Sequence, residues 1–385
     1  MDLTQQGTLQ GKQGHIVHTL RSEIVGGAAK PGSRLPTQAE LAKRFGTSGA
    51  TVQHALKQLI REGFISAQPR RGTFVADDPP HLCHYGILFH SQPSVSSTWQ
   101  QFWVALEREA ALLREEGRRR LSMFYGIHGW AAGKDMDRLV DLVVHHRLAG
   151  LIFTSDPYHI EGSPLIAEPR IPRVAITFRK SEAFVSVVLD SCSLWQRWVD
   201  VCRARDAKQV GVLVTPKYSC ADMKAFFEER GLKLRPELVQ AVRLEDAEWA
   251  SNAVQLMLHA DRECRPEVLI IADDNLVPHA TAGIAASGVS VPSDVEVLAH
   301  TNFPWPTPSS VPVRRFGYDV RRVLQTCIDL IDQMRAERAV PAQVVVPAIW
   351  EEELASARAA EARPPDPAQQ AAARERPGAT LASSG

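Results

Sequence analysis

Two groups of residues in this sequence have the types and placement to do chemistry. The first lies at the carboxyl ends of apolar, strand-like segments: His90, Trp99, Asp190, Tyr218, Asp273, Asn275, Asn302 and Trp305. Carboxylates and amides pair with hydroxyls, and aromatic faces stack on C–H surfaces. Such a set suits a small hydroxyl-rich molecule, a sugar or polyol, held where an open α/β sheet binds its ligands. The second group is basic and hydrogen-bonding and sits near the N-terminus: Arg34, Thr37, Gln38, Arg44, Thr47, Ser48, Thr51, Gln53, His54, Arg70, Arg71 and Gly72. Its arginines can neutralise phosphates, glutamine can pair with adenine, and threonine can meet a thymine methyl. The turn "PRRG" offers two arginines to a duplex backbone or minor groove.

Other chemistries find less support. "HLCH" (81–84) falls in a connector and "HH" (145–146) at a helix end, and neither has a partner pair at metal-ligand spacing. Neither G-x-S-x-G nor a phosphate-binding G-x-x-x-x-G-K-[ST] occurs. No metal and no cofactor is expected. Asp273-Asp274-Asn275 could supply catalytic carboxylates. The alternative reading is therefore a sugar-processing enzyme, or a catalytically active α/β domain, fused to a DNA-binding module.

The elements that must position these residues follow from periodicity. Ile16, Leu20 and Ile24 mark a helix stopped by Gly26-Gly27. Thr37 with Glu40 forms a capping box for a second helix, which Gly46 ends. Ser48 caps a third, "GATVQHALKQL", striped by Val52, Ala55, Leu56 and Leu59. "FISAQPRRGTFVA" reads as two short strands around a basic turn. The order is that of a winged helix-turn-helix, expected over residues 10–76. A polar, proline-rich connector, "DDPPHLC", covers 77–83. From 84 to 355 apolar strands alternate with helices, as parallel sheets buried on both faces require. So many residues suit two similar lobes, an α/β effector-binding unit with doubly wound parallel sheets. Residues 356–385 are rich in Ala, Pro, Arg and Ser and are expected to be a disordered tail.

Bulk properties agree with that division. Net charge is zero, yet residues 9–76 hold ten Lys/Arg against three acids, a net +7 on the smaller module and −7 on the remainder. A basic end on an acidic body is expected where one end meets a polyanion. No apolar run is long enough to span a membrane, and six scattered cysteines without a C-x-x-C pair read as reduced thiols in a cytoplasmic protein.

"GSRLPTQAELAKRFGTSGATVQHALKQLIREGFISAQPRRGTFVADD" (32–78) resembles the winged-helix domain of the gluconate-repressor (GntR) family of bacterial transcription regulators. Its landmarks are Leu35-Pro36, Glu40-Leu41-Ala42, Phe45-Gly46, Thr51-Val52, Ala55-Leu56, Glu62-Gly63 and Arg71-Gly72-Thr73-Phe74-Val75. The later part resembles the sensor of lac-repressor-type regulators and periplasmic sugar-binding proteins, through Asp190 opening a helix and "ADDNLVPHATAGIAASGVSVPSDVEVLAH" (272–300). The resemblance implies a sequence-specific regulator, a repressor, whose affinity for a double-stranded operator answers to a small molecule between two lobes. It also places Asp190, Asp273 and the Thr301-Asn302 turn in effector-contact regions. Gly49 and Gln53 stand where that family commonly has arginines, which implies an altered sequence preference or weaker binding. One winged helix reaches one half-site, so a homodimer on a pseudo-palindrome is expected.

Overall fold

The computed structural model describes residues 3–361 apart from 94–98, 118, 129–132, 157–159, 161–162, 179, 182–183, 217–219 and 260–263. Three helices open the chain: α1 (Leu3–Val25), α2 (Gln38–Phe45) and α3 (Gly49–Arg61). The strands β1 (Ile65–Gln68) and β2 (Gly72–Val75) then pair antiparallel, with Ile65 opposite Val75. Ile16, Leu20 and Ile24 of α1 close on Leu41, Val52, Ala55, Leu59, Phe64, Ile65 and Val75 in one small core. Helix α1 begins well before the Ile16–Ile24 stripe and before residue 10. The glycines upstream each cost a helix only about 1 kcal/mol, and the first firm stop is Gly26-Gly27.

The connector differs from its sequence reading. Pro80–Cys83 forms a short helix, α4, in which Pro80, His81 and Cys83 are buried. The His81 ring stacks on Phe64, with centroids 5.9 Å apart. A polar-looking segment is buried because its prolines and imidazole present flat apolar faces to Phe64 and Gly63.

Two six-stranded sheets follow. The first lobe contains β3 (His84–Leu88), β4 (Arg120–Phe124), β5 (Gly150–Phe153), β6 (Arg173–Thr177), β7 (Val185–Asp190) and β13 (Gln343–Pro347). Their order is β13-β7-β6-β5-β3-β4, and all pairs are parallel. Its helices are α5 (Gln101–Glu115), α6 (Lys134–Val144), α7 (Pro164–Ala167) and α12 (Val320–Arg335). The second lobe contains β8 (Val210–Val214), β9 (Val239–Ala241), β10 (Val268–Ile271), β11 (Glu296–Phe303), β12 (Arg314–Asp319) and β14 (Ile349–Trp350). Here the order is β14-β12-β11-β10-β8-β9, parallel except for β14. Its helices are α8 (Ser191–Ala204), α9 (Cys220–Glu228), α10 (Trp249–Leu258), α11 (Val277–Ser287) and α13 (Glu351–Glu361). Helix α13 thus continues past residue 355, where the sequence suggested that the fold ends.

The chain crosses between lobes three times, at β7–α8, β12–α12 and β13–β14. Two crossings are built alike. Asp190 caps α8 by accepting from the Cys192 and Ser193 amides, and Asp319 caps α12 by accepting from the Arg321 and Arg322 amides. Strands such as "VLII" of β10 and "VGVLV" of β8 are buried throughout because helices cover both sheet faces. One apolar cluster, running from Tyr85 and Trp103 to Trp198 and Phe316, is shared by both lobes.

Candidate DNA-binding face and effector cleft

On the winged helix the capping logic is realised in full. Thr37 Oγ1 accepts from the Glu40 amide, and the Glu40 carboxylate accepts from the Thr37 amide at 2.7 Å. The Thr37 amide first, and then its hydroxyl, which donates to Glu40 Oε2 at 2.8 Å, hold the exposed Glu40 carboxyl below its ordinary range. Ser48 Oγ accepts from the Thr51 amide at 3.2 Å and fixes the start of α3. Gln38 Nε2 donates to the Gly49 carbonyl at 2.7 Å, and a Cβ on Gly49 would lie 3.2 Å from that same nitrogen. The residue in the family's arginine position therefore lets α2 close onto the first turn of α3. At the wing, Arg70 (φ 61°) and Gly72 (φ 115°) turn the chain in the left-handed region. Arg34 lies across Gly72, where a Cβ would come within 3.0 Å of its Nε.

Arg34, Thr37, Gln38, Ser48, Gln53, His54, Arg70, Arg71 and Gly72 are exposed on this module, and Thr47 is half-buried. Two residues do not stand as the sequence suggested. Thr51 is 7% exposed, and its hydroxyl shares a 2.9 Å hydrogen bond with Ser48 Oγ, so it supports the cap rather than facing a groove. Arg44 is salt-bridged to Glu23 and lies over the Phe45 ring, so its charge is already met within the protein.

In the second lobe, the carboxyl ends of β10 and β11 bring Asp273, Asn275 and Asn302 into one polar floor. Asp273 Oδ1 accepts from the Asn275 amide at 3.0 Å and from its side chain at 2.7 Å, and Asp273 Oδ2 accepts from Thr215 Oγ1 at 3.3 Å. Burial, and then the neighbouring Asp274, push the Asp273 carboxyl above the ordinary aspartate value. Asp274 is buried beneath, accepting from Asn302 Nδ2 at 2.6 Å, with His300 Nδ1 3.9 Å from its other oxygen. Asn302 is thus engaged from below. Asp273 and Asp274 hold different partners, Thr215 and Asn275 for the first and Asn302 for the second.

The first lobe answers with aromatic rings. Trp99, Phe89, Trp103 and Tyr125 form a cluster with centroid separations of 4.9 to 6.2 Å, and exposed His90 meets Trp103 edge-on at 4.8 Å. Phe178, 63% exposed, stands just past the carboxyl end of β6. The lobes also touch. The Gln101 amide at the start of α5 donates to Asn275 Oδ1 at 3.0 Å. Two turns along α5, Glu109 Oε1 accepts from Trp305 Nε1 at 2.9 Å, while the Arg108 guanidinium sits 5.0 Å from the Trp305 ring centroid.

His90, Trp99, Asp273 and Asn275 are therefore placed at the facing strand ends. Asp190 has its carboxylate committed to the α8 cap, Trp305 serves a contact between lobes, and Tyr218 lies outside the described residues. Sequence reading missed Gln101 and Glu109. Glu109 carried one signal, an acid in the middle of an apolar helix stripe. The "HLCH" and "HH" histidines are dispersed: His84 bonds Arg147 O and Ser122 Oγ, and His145 bonds Asp141. Among the described residues no helix is long and apolar enough to cross a membrane.

A basic winged helix joined to two parallel-sheet lobes with facing strand ends defines a class, the ligand-responsive DNA-binding regulator. Residues 12–75 match the family described as bacterial regulatory proteins, gntR family, and residues 199–352 match the periplasmic binding protein-like domain. Along most of its length the chain is similar to the arabinose metabolism transcriptional repressor of Halalkalibacterium halodurans, at 20% identity over 86% of this chain and 92% of that one. The repressor of the same name from Geobacillus stearothermophilus is 22% identical over 83% and 90%. The transcriptional repressor ascG of Escherichia coli shares the two-lobed fold, with a TM-score of 0.54 and 16% identity over 70% of this chain and 97% of that structure. The chain is a transcriptional regulator with a GntR-type DNA-binding domain and a periplasmic-binding-protein-like effector domain, and these relatives are regulators rather than enzymes.

Proposed function

We propose that the protein is a cytoplasmic, homodimeric repressor whose hold on an operator is set by a monosaccharide or related polyol between its lobes. The observation that carries this is the arrangement at the facing strand ends. Asp273 and Asn275 offer acceptors and a donor on one side, and Trp99, His90 and Phe178 offer ring faces on the other. The names of the two full-length relatives, both repressors of arabinose metabolism, make aldopentoses the first candidates. On DNA, the Ser48-capped start of α3, Gln53 and His54 would meet base edges, and Arg34, Arg70 and Arg71 the phosphates. Thermal melting of the full chain with L-arabinose, other aldopentoses, hexoses and polyols tests the sensor. A melting temperature that none of them raises would remove the effector reading.

The dimer has support in the second lobe. Helices α10 ("WASNAVQLML") and α11 ("VPHATAGIAAS") contain no Asp, Glu, Lys or Arg, in a chain with 23% charged residues. Trp249 is 60% exposed and Leu256 75%, beside exposed Ala282, Ala285 and Ala286. Gly283 draws the pair together, since a Cβ there would lie 2.5 Å from the Ser251 carbonyl oxygen. A flat, uncharged, apolar face suits a second copy of the chain about a two-fold axis. That arrangement supplies the two winged helices that a palindromic operator needs.

A further inference from the structure

One feature of the fold runs from the facing strand ends of the lobes to the winged helix. Helix α12 has 16 residues, so it spans about 24 Å at 1.5 Å per residue. Its first turn lies at a lobe crossing, capped by Asp319. Its last residue, Arg335, donates from Nη1 to the Leu82 carbonyl at 2.7 Å and the His81 carbonyl at 3.4 Å. Those carbonyls belong to connector helix α4, whose His81 ring is stacked on Phe64 of the winged helix. Near its start, Arg321 is ion-paired to Glu116 at the C-cap of α5 at 2.5 Å. Asp332, one turn before Arg335, accepts from Tyr85 OH of β3 at 2.5 Å. Helix α5 is in turn the element that lobe 2 holds, through Gln101–Asn275 and Glu109–Trp305.

We propose that the α5–α12 pair is the lever that carries lobe closure to the DNA-binding module, with Arg335 as the positioning residue at its output end. When lobe 2 departs, Asn275 and Trp305 release α5. Helix α12, packed against α5 and tied to it through Glu116–Arg321, follows. A packed helix shifts by about 1–2 Å in such transitions, and Arg335 passes the shift to two carbonyls of α4. Because α4 bears on Phe64, the winged helix turns against the first lobe. This rests on the reading of the protein as a regulator controlled from its cleft.

A ligand-free double-mutant cycle tests it. The probe is the tightest duplex that the full-length wild-type protein selects from randomised DNA. Trp305→Phe keeps a ring but removes the indole donor, and so loosens the contact between lobes. It is expected to change the Kd for that duplex about five-fold or more, the lower end of typical coupling between sites. In the Arg335→Met background the same substitution should change Kd less than about two-fold. Arg335→Lys, which keeps a donor for one carbonyl, should restore part of the response, and it carries the cycle if the methionine variant does not fold. An unchanged Kd in Trp305→Phe, or an equal change with and without Arg335, overturns the lever alone. Failure of the wild type to enrich any duplex overturns the DNA-binding reading and the lever with it.

Discussion

Arg71→Ala and Arg44→Ala should separate, although both remove one arginine from the same module. Arg71 is exposed on the wing, with its guanidinium 5.8 Å from the Phe74 ring centroid, a contact that leaves its charge intact. Arg44 is salt-bridged to Glu23. Each phosphate contact contributes about 0.9 to the slope of log affinity against log salt on duplex DNA. In the proposed dimer Arg71 acts twice, so Arg71→Ala should flatten that slope by ~1.8. Over a four-fold rise from roughly 50 to 200 mM salt, the wild type should then lose ~12-fold more affinity than the variant. Arg44→Ala should leave the slope nearly unchanged, while Glu23→Gln, which frees Arg44, should steepen it. Fluorescence anisotropy with a selected duplex at several salt concentrations measures all three. Equal flattening by Arg44→Ala and Arg71→Ala would refute the argument that pairing to Glu23 withdraws Arg44 from DNA.

Three further outcomes are expected. Asp273→Ala should abolish any sugar-induced rise in melting temperature while leaving duplex affinity within about two-fold, and loss of folding instead would assign Asp273 to the loop that opens α11. Leu256→Glu should shift the protein to monomers in sedimentation velocity, since burying a charge on the uncharged α10–α11 face is costly. His81 is held to a pKa of about 4, by burial first and then by Arg335 and His146. A histidine kept neutral in the folded state stabilises fully above its ordinary value of 6.5, and that contribution, up to about 3 kcal/mol, is lost as pH falls from 6.5 toward 4. His84 shares that window, so His81→Phe, which keeps the stack on Phe64, should remove only part of the acid sensitivity in urea unfolding at pH 5 and pH 7.5.

Much of the winged helix was legible because its signals are local. A cap reads from Thr37 and Glu40 three residues apart, and a wing from two arginines and a glycine between alternating apolar residues. The sheets were legible for a similar reason, since strands covered on both faces are apolar runs whatever their neighbours. The short β9 and β14, of three and two residues that are not buried, carry no such run. The cleft divided along the same line. Asp273 and Asn275 could be located from a strand end, but the partners of Asn275 and Trp305 are Gln101 and Glu109, on a helix more than 170 residues away in sequence. Thr51 misled because its place in α3 suggested a groove, while the residue is buried and its hydroxyl is bonded to Ser48 Oγ.

The stacked connector bears on the operator itself. A winged helix on a loose tether would tolerate half-sites at many separations. Here four residues of the tether form a short helix gripped by Phe64 on one side and Arg335 on the other. In the proposed dimer the separation and rotational phase of the two half-sites are then dictated by the lobes, much as the gauge of a track is set by its sleepers. One base pair inserted at an operator's centre rotates the second half-site by about 34°, a rotation that the gripped connector resists.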